Sequence, residues 1–381
     1  MAPRHGQALA MTALALIVAA IWVYLLGFHG RFWQAGPVLP PARPERAPPV
    51  VAVVPARNEA LGIADSLASL LAQDYGGPFR AVLVDDASTD STGEIARRIG
   101  DPRLTVLTGR SRPAGWSGKI WALAQGLGAA EDSELLLLTD ADIIHDPRHL
   151  AALVAAADRG GYDLVSEMVA LTAEGEAGRT LLPAFVYFFQ LLYPFDWVND
   201  PLRATAAAAG GTILIRRRAL ERIGGIEAVR DALIDDVALA AAVKRGGPIW
   251  LGHSMLARSA RAYPGWADVW RMITRSAYIQ LRRSPLLLIC SMGAMALTFL
   301  APPLIALFGH GPARLLGLAA WAGLALSYVP SLRRSRLSGL RAPLLVLTAL
   351  FYIAATVASA LDHHRGRGAI WKGRAYTGAT R

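Results

Sequence analysis

Leu135-Leu136-Leu137-Leu138-Thr139-Asp140-Ala141-Asp142 is the stretch on which the reading of this chain turns. Four leucines and a threonine form a short apolar run with no polar face, the pattern of a strand buried on both sides. Two aspartates follow at once, so the strand carries both carboxylates to its end. Chance supplies Asp-x-Asp often, and the bland reading is a strand end that caps a helix before Pro147. The strand context is what makes the pair a candidate site.

The same strand-then-acid pattern recurs outward from this point. Val50–Pro55 is a β-branched run followed by Asn58 and Glu59, and Arg80–Asp86 is an apolar strand closing on Asp85 and Asp86. Ala60–Gln73 spaces Leu61, Leu67, Leu70 and Leu71 as a helix does. Ser88 to Thr92 offers several N-caps for a helix through Ile99, Leu104–Leu107 reads as a strand, and Gly118–Ala130 as a helix. This alternation predicts an α/β domain on a Rossmann-like, mostly parallel sheet covered on both faces. Ligands of such sheets sit beyond the carboxyl ends of the strands, so Asn58/Glu59, Asp85/Asp86 and Asp140/Asp142 are expected along one edge. Crowded carboxylates repel one another unless a cation joins them. Mg²⁺ or Mn²⁺, which favour oxygen ligands, is the economical answer.

Other segments carry two readings each. Gly115-Trp116-Ser117-Gly118-Lys119 opens a helix and can cradle phosphate, or is a glycine turn with a solvated lysine. It lacks the spacing of a P-loop. Asp235-Asp236 begins another helix, where two carboxylates either favour the macrodipole or supply a general base for a hydroxyl nucleophile. No Ser/His/Asp set competes, and the single cysteine, Cys290, lies in an apolar run and can form no intramolecular disulfide. His145, His253 and His363-His364 lack metal-ligand spacing and read as structural or solvated. His253, which follows the region assigned below to the acceptor side, is the one worth testing.

The chain has 381 residues, 54% hydrophobic and 18% charged, with the apolar excess gathered at its two ends. Ala8–Gly27 is long enough to cross a bilayer, and too long and wrongly ended for a signal peptide. Leu286–Phe308, Leu315–Val329 and Pro343–Leu361 are three further candidates, the middle one short enough to be re-entrant. The expected order is a membrane anchor at 1–30, a proline-rich linker at 31–49, and the α/β domain at 50–265. An amphipathic interfacial helix at 266–285, membrane helices at 286–361 and a basic tail at 362–381 complete it. On the helix after residue 265, Trp266, Val269, Trp270, Ile273 and Ala277 share one face. Leu181–Val198, broken by Pro183 and Pro194, rests on the bilayer or packs in the core.

The net charge of +10 gathers as arginines beside the apolar segments, which favours an anionic membrane surface as partner over nucleic acid. Arg31, Arg43 and Arg46 follow the first helix against Arg4 before it, so the positive-inside rule predicts a multi-pass protein of the inner (cytoplasmic) membrane with its catalytic domain in the cytoplasm. The rule also wants both the Arg333–Arg341 loop and the Arg365–Arg381 tail inside, although Pro343–Leu361 separates them. No protein partner is inferable.

Taken together, Pro55-x-x-Asn58-Glu59, Val84-Asp85-Asp86, Gly118-Lys119-x-x-Ala122-Leu123, Thr139-Asp140-Ala141-Asp142, Gly210-Gly211 and Asp235-Asp236 resemble the large inverting family-2 glycosyltransferases of GT-A fold, over roughly residues 48–285. The flanking helices, Asp235-Asp236-Val237-Ala238-Leu239 and Trp371-Lys372-Gly373-Arg374 look like the hopene-associated members of that group. The resemblance implies that Pro55, Asn58, Glu59, Asp85 and Asp86 hold the nucleotide, uridine in the family, with Lys119 near the phosphates. It implies that Asp140 contacts nucleotide or sugar and joins Asp142 at the metal, and that Asp236 is the base with Asp235 beside it. Gly210, Gly211, His253, Arg275 and Tyr278 fall on the acceptor side. One departure matters: where processive relatives carry Q-x-x-R-W, this chain has Arg271-Met272-Ile273-Thr274-Arg275-Ser276-Ala277-Tyr278, which favours a single transfer to one acceptor. The expected function is therefore transfer of a sugar from a nucleotide-sugar donor to a membrane lipid, a hopanoid being one candidate. A polyprenyl-phosphate sugar synthase and a non-catalytic nucleotide-sugar-binding subunit are the alternatives.

Overall fold

The computed structural model describes residues 2–130, 133–366, 370–371 and 374–375. They divide into two compact units: a helical unit of residues 2–36, 173–196 and 263–366, and a sheet unit of residues 37–172 and 197–262. The division differs from the continuous 50–265 domain read from the sequence. Residues 173–196 join the helical unit, while 37–49, read as linker, belong to the sheet unit, where Leu39 is buried and Val38 bridges His253.

The sheet unit is built on eight strands: β1 (Val50–Ala56), β2 (Phe79–Asp85), β3 (Leu104–Thr108), β4 (Leu135–Thr139), β5 (Ile143–His145), β6 (Leu164–Ala170), β7 (Thr212–Arg216) and β8 (Ile249–Ser259). Their order is β3-β2-β1-β4-β7-β6-β8-β5. β1, β2, β3 and β4 are mutually parallel, as the alternating pattern predicts. Beyond β4 the sheet is mixed: β7 is antiparallel to both β4 and β6, β8 is parallel to β6, and β5 is antiparallel to β8.

Every residue of β1 and β4 is buried, which explains why both read as unbroken apolar runs. On one face of β1, Val50, Ala52, Val54 and Ala56 cluster with Ile63, Leu67 and Leu70 of helix Ile63–Leu71 and with Leu150, Leu153 and Val154 of helix His149–Arg159. The other face receives helix Gly118–Gly128, whose Gly126 lies so close that a Cβ there would sit 2.4 Å from Val53 Cγ1. Any side chain at this position would have to push the helix off the sheet.

The helical unit contains four helices long and apolar enough to cross a membrane: Gly6–Gly27, Pro285–Phe308, Gly311–Arg334 and Gly339–His364. The third corrects the expectation of a short segment at Leu315–Val329, because helix formation continues through Pro312 at its start, where proline is tolerated, and past Pro330 at its end. Pro285–Phe308 contains a π-helical turn at Ala296–Leu300, just before Pro302 and Pro303. Pro302 has no N–H to give the Thr298 carbonyl, and the Trp22 indole N–H donates to that carbonyl instead, at 2.9 Å.

Of the two readings of Leu181–Val198, core packing holds for Leu181, Leu182, Ala184 and Tyr187, which are buried. Helix Gly175–Leu192 runs through Pro183, and its Tyr187 hydroxyl meets Ser327 at 2.8 Å, while Tyr352 donates to the Leu181 carbonyl at 3.0 Å. Helix Trp266–Thr274 buries Val269 and Ile273 and sets Trp266 and Trp270 against Phe351. Its apolar face is thus used at least partly for packing on helix Leu345–His364. At the tail, Ile370–Trp371 pairs antiparallel with Arg374–Ala375, and Lys372 and Gly373 lie outside the described residues.

Candidate active site

The strand order brings the acids together. β4 lies between β1 and β7, and Thr139 at the end of β4 pairs with Thr212 at the start of antiparallel β7. Gly210 and Gly211, which precede β7, are therefore delivered to the carboxyl end of β4, beside Asp140. Thr139 Oγ1 fixes this junction by donating to the Gly211 carbonyl at 2.8 Å. A pocket opens here, lined by Pro55, Lys119, Asp140, Gly210, Asp235 and Asp236 among others.

Lys119, in the first turn of helix Gly118–Gly128, is the hub of this pocket. Its ammonium lies 2.8 Å from Asp140 Oδ1 and 3.3 Å from Asp235 Oδ2. Burial alone would lower its pKa, but Asp140, Asp235 and Asp236 outweigh burial and hold it above its ordinary value. The alternative of a solvated lysine is excluded. Asp236, at the head of helix Asp235–Lys244, accepts from the Gly210 N–H and from its neighbour Val237 N–H, each at 2.8 Å. Desolvation and then repulsion from Asp235 push its carboxyl up to about 6, against the lowering pull of Lys119 and the two amides. A carboxylate so placed is a competent proton acceptor near neutral pH. A Cβ on Gly210 would lie 3.0 Å from Lys119 Nζ and 3.3 Å from Asp236 Oδ2, so glycine is what lets the chain pass.

A second cation serves the other acids. Arg261 Nε lies 3.3 Å from Asp142 Oδ2, and its Nη2 lies 3.0 Å from Glu59 Oε1. Ser259 Oγ donates to the same Asp142 oxygen at 3.0 Å. The β5–β8 pairing, with Ile143 opposite Ser259, makes this possible by bringing the end of β8 alongside Asp142.

The first two acidic strand ends form one loop assembly. Asn58, at φ +51°, accepts from Thr89 N–H at 2.8 Å, Asn58 N–H donates to Ser88 Oγ at 3.0 Å, and Glu59 N–H donates to Thr92 Oγ1 at 2.8 Å. Asn is among the few side chains that tolerate this left-handed backbone. Asp85 Oδ1 accepts from Ser88 N–H at 3.0 Å, Asp86 is buried, and Arg57 donates to the Asp86 and Ala87 carbonyls. Asp90 holds Thr92 N–H and Ala60 N–H, so it organises the helix start as the sequence suggested.

Asp140, Asp235 and Asp236 thus face Lys119, and Glu59 and Asp142 face Arg261, rather than all being ringed around a single point. Among the described residues no group of three or more His, Cys, Asp or Glu side chains is arranged to hold a metal. Carboxylates such as Asp140 and Asp142 are nonetheless the oxygen donors that a divalent ion of the Mg²⁺ or Mn²⁺ kind takes. Such ions commonly take one or two carboxylates and complete their shell with phosphate oxygens and water.

The remaining expected residues fall elsewhere. His253 is buried in β8, its N–H donating to the Pro37 carbonyl at 2.8 Å, and it does not line the pocket. Arg275 and Tyr278 belong to the helical unit, where Tyr278 is buried with its hydroxyl 3.2 Å from His364 Nε2. Arg261 was missed because nothing in the sequence links it to Asp142 until β5 and β8 are paired. His149 was also missed, although its i+4 spacing from His145 is visible. His145 and His149 meet at 2.9 Å, His149 reaches Glu167 at 2.7 Å, and His145 reaches Thr139 at 3.2 Å, all buried. Burial and then His149 hold His145 well below its ordinary pKa, consistent with a structural brace behind β4.

Comparison with known proteins agrees with this fold. The model for "Glycosyl transferase family 2" matches residues 51–224. The chain is 32% identical over 161 residues to the succinoglycan biosynthesis protein ExoO of Rhizobium meliloti, covering 39% of this chain and 44% of that protein. It is 33% identical over 122 residues to the undecaprenyl-phosphate 4-deoxy-4-formamido-L-arabinose transferase of Edwardsiella ictaluri, covering 30% of this chain and 35% of that one. The matches thus span less than half the length of either relative. The structure of mannosyltransferase PcManGT from Pyrobaculum calidifontis, in complex with GDP-Man and Mn²⁺, is similar at a TM-score of 0.56 and 22% identity, over 92% of this chain and 99% of that one. Residues 51–224 therefore match the model of glycosyltransferase family 2, and the chain carries a GT-A fold.

Proposed function

We propose that this protein transfers a sugar from a nucleotide-diphosphate donor, UDP-linked as the family resemblance implies, to the hydroxyl of a membrane lipid, with inversion at the anomeric carbon. The observation that carries the reading is Asp236, a buried carboxylate pinned by two backbone amides with its pKa up at about 6, beside Lys119 and Asp140. Asp236 takes the proton as the acceptor oxygen bonds to the anomeric carbon, and the bond from that carbon to the diphosphate oxygen breaks. The nucleoside diphosphate leaves with the electron pair. A divalent ion held by Asp140 and Asp142 would supply charge stabilisation to that leaving group, and Lys119 adds a fixed positive charge nearby. Asp85, Asp86, Asn58 and Glu59 form the nucleoside side.

Four helices long enough to cross a membrane support a lipid acceptor, with the domain on the cytoplasmic side as the arginine distribution suggests. Hopanoids are the acceptor class that the closer family resemblance suggests. The similarity to an undecaprenyl-phosphate transferase favours a second reading, in which the acceptor is a polyprenyl phosphate that needs no strong base. The test is a donor screen against native membrane lipid extract, with mass spectrometry of whatever acquires sugar. A glycosylated neutral lipid supports the first reading, a sugar phosphoprenol the second, and donor binding without any product overturns both.

A further inference from the structure

Arg261 ties two acids of the crevice together, and its contacts do more than neutralise charge. We propose that Arg261 is an exchangeable counter-ion that competes with divalent metal for Asp142, so that metal and nucleoside diphosphate strengthen each other's binding by drawing it off. The inference rests on reading this crevice as a metal-assisted nucleotide-sugar site.

One oxygen, Asp142 Oδ2, receives both Ser259 Oγ at 3.0 Å and Arg261 Nε at 3.3 Å. A divalent ion bound through that carboxylate would sit at about 2.1 Å from it. The two cations would then share one carboxylate and repel each other, so each weakens the other's hold on it. The other end of the guanidinium holds Glu59 at 3.0 Å, so a single side chain ties an acid assigned to the nucleoside side to one assigned to the metal. A diphosphate is the ligand best suited to release it, because the planar fork of an arginine matches phosphate oxygens as well as carboxylate.

Position and exposure agree. The Arg261 side chain is 34% exposed, against 18% for Lys119. Lys119 is enclosed by Asp140 and Asp235 and is fixed equipment of the pocket, whereas Arg261 has solvent to move into. Ser259, whose hydroxyl also accepts from the Arg261 N–H at 3.2 Å, keeps Asp142 oriented when the guanidinium departs.

The test is Mn²⁺ binding to the full chain in detergent, read by the electron paramagnetic resonance of free Mn²⁺, alone and with UDP or GDP. Arg261→Gln is expected to bind Mn²⁺ alone about fivefold tighter or better than wild type, since one nearby positive charge is gone. The gain in Mn²⁺ affinity that nucleotide gives the wild type is expected to shrink in the variant, as linkage requires. Arg261→Lys, which keeps the charge, should stay near wild type, and a thermal unfolding transition like that of wild type shows that each variant folds. Equal or weaker Mn²⁺ binding by Arg261→Gln, or no coupling between Mn²⁺ and either nucleotide in wild type, overturns the proposal. If Asp142→Ala binds Mn²⁺ with nucleotide as well as wild type does, the metal reading itself fails, whatever Arg261 does.

Discussion

The two cation–carboxylate groups of the sheet unit are alike in chemistry and opposite in setting. Around Lys119, three aspartates from one helix start and a strand end close over one ammonium, in a pocket also walled by Ile120, Leu123 and Leu239. Around Arg261, two acids from separate loops share one guanidinium that is a third exposed. The enclosed group shifts pKa values and fixes geometry; the open one balances charge and can exchange it. Under the proposed function, proton transfer falls to the first and ligand exchange to the second.

The largest effect expected from breaking the contrast is at Asp236. Asp236→Asn keeps the side chain's shape and its ability to accept from Gly210 N–H, but removes the base, so turnover should fall by about 10²–10⁴ while donor binding persists. Single-turnover assays with labelled donor check this, and turnover within a few fold of wild type points to the phosphate-acceptor reading. Lys119→Met comes next. It leaves Asp140, Asp235 and Asp236 without their shared cation, and unfolding should show a loss of about 2 kcal/mol, below the range for a fully buried pair because Asp140 is partly exposed.

The same variant sharpens the comparison through pH. Asp236 must be ionised to act, so kcat/KM should rise as pH increases through about 6 and level off above it. Lys119 lowers that pKa, so in Lys119→Met the acid limb should move to higher pH. A limb that stays in place would show that Asp236 is not the group titrating. Gly210→Ala is milder. Its new Cβ would crowd Lys119 Nζ at 3.0 Å, and about a tenfold loss of turnover with donor affinity kept is expected. The smallest effect belongs to Glu59→Gln, which should weaken donor affinity by about tenfold or less, since the partner Arg261 is partly solvated.

How much of this was legible beforehand depended on how local the signal was. The parallel half of the sheet was readable because β1, β2 and β4 are buried runs ending in acids, and the burial that makes them strands also makes them apolar. The antiparallel half was not, because β5 has three residues and its pairing with β8 joins segments more than a hundred residues apart. That pairing is what brings Arg261 to Asp142. Lys119 was readable as a helix-start lysine, yet its ion pairs with Asp140 and Asp235 needed the fold. The third membrane-length helix extends beyond Leu315–Val329 at both ends, because proline at a helix start fits without strain and the helix continues through Pro330 to Arg334.

The most direct test of the central claim is a structure of the protein with UDP, or GDP, and Mn²⁺. The metal should lie on Asp140 and Asp142, the diphosphate between that metal and Lys119, and Arg261 should be turned off Asp142. A nucleotide bound away from the carboxyl end of β4, with Asp142 still paired to Arg261, would contradict it.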